Sequence, residues 1–163
     1  MRPWRQQAAQ GRVGPGTTVR FERTFTAADV AAFGQLTRDD NPVHSDERWC
    51  EQKGFERPVC HGLLVGSMVC EVGGEWGWLA TGLAFRFRRP AYIGETLVAE
   101  VTVVEVDERW SARAECVIRN GRGETVATAE LRGFLPGPAE QDLLGEMLDE
   151  GDADAPPADR RDQ

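Results

Sequence analysis

From Gly62 to about position 72 the chain is apolar nearly all round, with Leu63, Leu64, Val65, Met68, Val69 and Val72 leaving no polar stripe. A helix with such a surface belongs inside a protein, so the rest of the chain must cover it. Four runs downstream can do so. Residues 83–88, 97–106, 111–118 and 125–134 read as strands, and the second alternates cleanly. Val98, Glu100 and Thr102 fall on one of its faces, with Ala99, Val101 and Val103 on the other. Asn120-Gly121-Arg122-Gly123 is the turn of a hairpin between the last two. A break is expected at Gly73-Gly74, between the helix and these strands. Upstream, residues 18–25 alternate as a further strand. Thr26 and Asp29 then have the spacing of a capping box, and Val30, Phe33 and Leu36 recur at helical spacing to about Arg38. Ser45 is expected to cap a short helix over 46–53, stopped by Gly54. Helices first and antiparallel strands afterwards make the chain α+β.

A length of 163 residues suits one domain with tails. The expected divisions are a flexible lead-in over 1–16, broken by Gly11, Gly14, Pro15 and Gly16, a folded unit over 17–136, and an acidic tail over 137–163. Leu143, Leu144, Met147 and Leu148 allow one short amphipathic helix in that tail, with disorder expected from Gly151 on. A net charge of −8 argues against nucleic acid or an anionic membrane surface as the main partner. No apolar run approaches the roughly 20 residues of a membrane span, and the first residues lack the apolar stretch of a signal peptide. The expected location is therefore cytoplasmic. Cys50, Cys60, Cys70 and Cys116 contain no C-x-x-C, so reduced and mostly buried thiols are expected, with neither a zinc knuckle nor a redox pair.

The chain has only two histidines, His44 and His61. His44 closes Asp39-Asp40-Asn41-Pro42-Val43-His44, which puts a carboxylate, a turn and an imidazole within six residues. Near neutral pH a carboxylate is ionised while an imidazole can give or take a proton. Pro42 fixes its own φ and pushes Asn41 out of the helical region, so Asp39 and His44 can point into one pocket around a shared water. Asn41 shapes that turn or contacts a substrate, and Asp40 is read as an exposed turn residue. His61 precedes Gly62 at the start of the apolar helix. There an unpaired N–H at the positive end of the helix dipole suits an oxygen gaining negative charge. His61 itself is a second acid–base candidate or a structural hydrogen-bonding residue. Cys60 beside it is not read as a nucleophile, because adjacent side chains diverge.

The first motif resembles the D-x-N-P-x-H signature of the MaoC-like, R-specific enoyl-CoA hydratases. Cys60-His61-Gly62-Leu63-Leu64 is similar to their H-G-[ML]-L, and Arg89-Pro90-Ala91-Tyr92-Ile93-Gly94-Glu95-Thr96-Leu97 to their strand entry P-V-x-x-G-D-x-L. Three motifs in order, across residues 19–136, make this far stronger than any one of them. The resemblance implies a single hot-dog domain, a curved antiparallel sheet wrapped around a central helix. It also implies hydration of a trans-2-enoyl-CoA to an (R)-3-hydroxyacyl-CoA, or the reverse. Asp39 and His44 would be catalytic and the Gly62 N–H the oxyanion donor. The implied partners are an acyl-CoA or acyl-carrier-protein thioester and a second copy of the chain in a homodimer, with no metal or other cofactor.

Substrate contacts are expected from Asn41, His61, Ser67, Cys70, Arg86 and Arg88. Cys70 departs from the family, where a serine often stands nine residues after the second histidine. Arg57, Arg86, Arg88 and Arg89 could bind phosphate, and Trp76 and Trp78 either cap an acyl pocket or pack in the core. Two rival activities remain open at this level: a hot-dog acyl thioesterase and a catalytically silent acyl-binding subunit.

Overall fold

The computed structural model describes residues 3–151. Five strands, β1 (Thr18–Thr24), β2 (Leu79–Phe87), β3 (Thr96–Val106), β4 (Ser111–Asn120) and β5 (Thr125–Phe134), form one antiparallel sheet in the order β1-β3-β4-β5-β2. The helices are α1 (Pro3–Ala9), α2 (Ala27–Thr37), α3 (Glu47–Gln52), α4 (Gly62–Gly66), α5 (Cys70–Trp76) and α6 (Pro138–Asp149). A 3-10 turn, Ser67–Val69, joins α4 to α5 with helical dihedrals at both junctions, so the two act as one central helix.

The alternation in β3 sorts as the sequence requires. Leu97, Ala99, Val101 and Val103 are at most 1% exposed and share a core with Leu64, Val65, Met68, Val69, Val72 and Trp76 of the central helix. Ala112, Ala114, Cys116 and Ile118 of β4, and Ala127, Ala129 and Leu131 of β5, complete that dry face. The other face carries Glu100, Glu115 and Arg132 toward solvent, one side wet and one dry as an antiparallel sheet permits. Register shifts in the β2/β5, β3/β4 and β4/β5 pairings mark bulges, which bend strands and add twist. This open sheet on one central helix is the hot-dog architecture.

Edge strand β2 lies unusually close to the helix. A β-carbon on Gly62 would fall 3.0–3.2 Å from three atoms of the Phe87 ring, and one on Gly66 3.1–3.2 Å from two atoms of Phe85. The two rings are nearly parallel, 6.0 Å apart, and cover successive turns of the helix where it has no side chains.

Three details differ from the sequence reading. Gly73-Gly74 is not a break: the helix runs to Trp76 and ends at Gly77, whose φ of 66° glycine accepts freely. Trp76 is wholly buried, and that burial outweighs the ~1 kcal/mol each glycine costs inside a helix. β2 starts at Leu79 rather than 83, because the bulge between Ala80 and Gly82 hides its period. Asp46, not Ser45, caps α3. Its carboxylate accepts the N–H groups of Arg48 and Trp49, and hydrogen bonding to the Arg48 guanidinium and these amides holds its pKa down at about 2.

Residues 3–9 are also helical where a flexible lead-in is expected. Ala8 is 3% exposed, and Arg5 Nη2 donates to the Gly74 carbonyl at 2.6 Å, which ties α1 to the central helix. Trp76 and Trp78 belong to the core. In the tail α6 forms, started by Pro138 and by Glu140 accepting the Gly137 N–H, and Leu144 packs against the core. The disorder expected from Gly151 on falls, past Gly151 itself, outside the described residues. No helix among those described is long and apolar enough to cross a membrane.

Candidate active site

Helix α2 ends on Arg38, a non-glycine residue at φ 59°, where a left-handed backbone costs about 1 kcal/mol. The turn is held by the Arg38 and Asp39 N–H groups, both bonded to the Gly34 carbonyl, and it delivers Asp39 at the helix exit. Asn41 follows at φ −58°, ψ 123°, the extended conformation a residue before proline must take. Its Oδ1 accepts the Val43 N–H at 3.2 Å, and its own N–H reaches Asp39 Oδ1 at 3.3 Å. The next turn, Pro42–His44, is closed by the His44 N–H on the Asn41 carbonyl at 3.0 Å. Asn41 thus links the carboxylate to the imidazole through the backbone.

The second motif approaches from the other side, held by the third. Cys60 N–H donates to the Ala91 carbonyl at 2.8 Å, and Val59 bridges to Tyr92 in antiparallel fashion. This fixes the Val59 carbonyl, which lies 2.8 Å from His44 Nδ1. A carbonyl can only accept, so Nδ1 carries a proton, and in the neutral ring Nε2 is then left with a bare lone pair. That Nε2 is 3.8 Å from Asp39 Oδ2. Two acceptors face each other across a gap too long for a direct hydrogen bond, and one water could donate a hydrogen to each. The Asp39 side chain is 50% exposed and that of His44 13%.

His61 sits behind this pair at 3% exposure. Its Nε2 is 3.2 Å from the Asp39 carbonyl, which by the same reasoning assigns the proton to Nε2. Its ring stacks on His44 with centroids 3.6 Å apart and planes 27° from parallel, and Phe33 lies 5.2 Å away. His61 Nδ1 is buried with no hydrogen-bond partner among the described residues. Gly62, one residue on, opens α4, and its N–H has no acceptor among those residues.

The structure therefore gathers Asp39, His44 and His61, with Gly62 the next residue along the chain at the head of α4. The other expected site residues are arranged differently. Asn41 is exposed, with its side-chain oxygen turned to the backbone. Ser67 Oγ donates to the Leu64 carbonyl of its own helix at 2.6 Å, and Cys70 is exposed at the start of α5. Arg86 and Arg88 are exposed and alternate along the chain with the helix-facing Phe85 and Phe87. Asp40 is exposed. Burial pushes the Cys60 thiol up to about 11, so it stays protonated.

Gly34 and Phe87 are part of the neighbourhood and escape a sequence reading. A β-carbon on Gly34 would lie 3.4 Å from the Asp39 carbonyl oxygen and 3.6 Å from two His61 ring atoms. The one available signal was a glycine inside a helix, where its propensity is poor.

Asp39, His44 and His61 offer ligand atoms within 4.8 Å of one another. The His44 and His61 rings are stacked, however, and stacked rings do not converge their in-plane lone pairs on one ion. The geometry suits a water better than a metal.

Fold and site together define a hot-dog protein with a carboxylate and an imidazole 3.8 Å apart beside the head of its central helix. The MaoC like domain matches residues 10–125. An (R)-specific enoyl-CoA hydratase of Aeromonas caviae is 35% identical over 97 residues, spanning 57% of this chain and 72% of its own. A 3-hydroxybutyryl-CoA dehydratase of Methylorubrum extorquens is 29% identical over 143 residues, 85% of this chain and 90% of its own. Among solved structures, the (R)-hydratase from A. caviae involved in PHA biosynthesis superposes with a TM-score of 0.72 at 32% identity, over 76% of this chain and 98% of that one. The chain belongs to the MaoC-like domain family.

Proposed function

We propose that this protein is a hydratase or dehydratase of acyl thioesters, interconverting a trans-2-enoyl thioester and an (R)-3-hydroxyacyl thioester. The observation that carries the reading is the 3.8 Å gap between two acceptors, Asp39 Oδ2 and His44 Nε2. A water in that gap has both hydrogens engaged and its oxygen lone pairs free to attack the β-carbon. As the C–O bond forms, the pair takes one proton from the water and a proton is delivered to the α-carbon, so H and OH add across the double bond. Charge that gathers on the thioester oxygen is met by the Gly62 N–H. As drawn, the step calls for no cofactor. Arg86 and Arg88 are exposed cations suited to the phosphates of coenzyme A or of a carrier arm.

The test is purified protein with trans-2-enoyl-CoA. Enoyl absorbance should fall without release of free thiol, and the product should have the R configuration. Thiol release without hydration would instead mark a thioesterase, and inertness toward short, medium and carrier-bound enoyl thioesters would favour a silent acyl-binding subunit.

We further propose a homodimer joined along β2. Among the described residues that strand pairs only with β5, and it leaves Leu79, Leu83 and Phe87 at 67%, 46% and 50% exposure, apolar surface that a second copy would bury. Sedimentation should give twice the 18.0 kDa chain mass, and Leu83→Glu should shift the species toward one chain. A wild-type protein that sediments as a single chain at micromolar concentration would refute this arrangement.

A further inference from the structure

We propose that His61 is a positioning residue, one buried imidazole that sets both the main chain of Asp39 and the plane of His44. The inference rests on the hydratase reading above and extends it to a side chain buried behind the pair.

The His44 ring is fixed along one edge by Nδ1 on the Val59 carbonyl. A single in-plane hydrogen bond leaves a ring free to tilt about the bond axis, and tilting swings Nε2 away from Asp39. The face of His61, 3.6 Å away, blocks that tilt on one side. The Asp39 peptide has an equivalent freedom: its N–H is held by Gly34, and its carbonyl is held by His61 Nε2 at 3.2 Å. One ring therefore constrains both partners of the 3.8 Å gap. It is itself held in a slot made by Phe33 and by Gly34, whose missing side chain leaves room for it. Its peptide leads directly into Gly62, so the carboxylate, the imidazole and the helix head share one mechanical reference. At 3% exposure, with Nε2 already donating, His61 acts through its neighbours.

Two variants separate this role from substrate binding and from bulk stability. H61F keeps an aromatic face against His44 and Phe33 but has no donor for the Asp39 carbonyl. H61Q restores a donor on a flexible arm without the face. For H61F the expected result is a fall of about 100-fold in kcat, the scale set by a misplacement near 1 Å, with KM within about twofold and no more than a modest drop in unfolding midpoint. H61Q should recover several-fold over H61F. Wild-type kcat in H61F, a loss carried by KM, or a loss that tracks unfolding would each overturn the proposal. If H61F does not fold, H61Q decides alone: reduced kcat at unchanged KM supports the role, and wild-type kcat overturns it. If the wild type hydrates no enoyl thioester, the functional reading fails separately. The positioning claim then stands or falls on crystal structures of wild type and H61F or H61Q, an unaltered Asp39–His44 separation overturning it and an altered one supporting it.

Discussion

Asp39→Asn should reduce turnover by about 1,000-fold, within the range for removing a general acid–base group, while Asp40→Asn retains most activity. The two residues are adjacent and both exposed, yet only Asp39 lies across from His44. The amide is nearly isosteric with the carboxylate, so the Asn41 N–H keeps an oxygen to bond and the turn persists. What is lost is the ability to accept a proton from a water shared with Nε2. Steady-state kinetics on the two purified variants give the answer, and equal losses at positions 39 and 40 would reject the assignment.

His44→Phe should have an effect of similar size, about 1,000-fold in turnover, for a different reason. The phenyl ring keeps the stack on His61 but lacks both ring nitrogens. Losing Nδ1–H leaves the Val59 carbonyl without its partner, which costs about 1–3 kcal/mol if water does not replace it. Losing Nε2 leaves Asp39 with no second acceptor to align the water. The expected signature is a modest drop in unfolding midpoint with near-complete loss of hydration. Substantial activity in a folded His44→Phe protein would mean that the carboxylate works without the imidazole.

Much of this arrangement is legible in the sequence because its causes are local. Pro42 dictates the conformation of Asn41, the Thr26–Asp29 capping box starts α2, and both its bonds form: Asp29 accepts the Thr26 N–H at 2.8 Å and Thr26 Oγ1 accepts the Asp29 N–H at 3.2 Å. The Thr26 bonds also keep the Asp29 carboxyl below its usual range. The period of β3 survives because its inward residues share one core with the central helix. What is not legible depends on partners distant in sequence. Gly73-Gly74 reads as a break until the burial of Trp76 is known, and α1 reads as loose until its seat on the central helix and α6 is seen. The stacking of two histidines 17 positions apart has no one-dimensional signal, since it requires the Ala91–Tyr92 clamp to bring the segments together.

The phenyl rings of β2 over Gly62 and Gly66 have a consequence for how the protein could vary. Along this seam the helix contributes only hydrogen atoms, so the rings act as shims that set the spacing between the two layers. Thinner or thicker residues at 85 and 87 could alter that spacing with the helix backbone, and the amide at its tip, left where they are. The glycines offer no such latitude, because any side chain added there must first displace a ring.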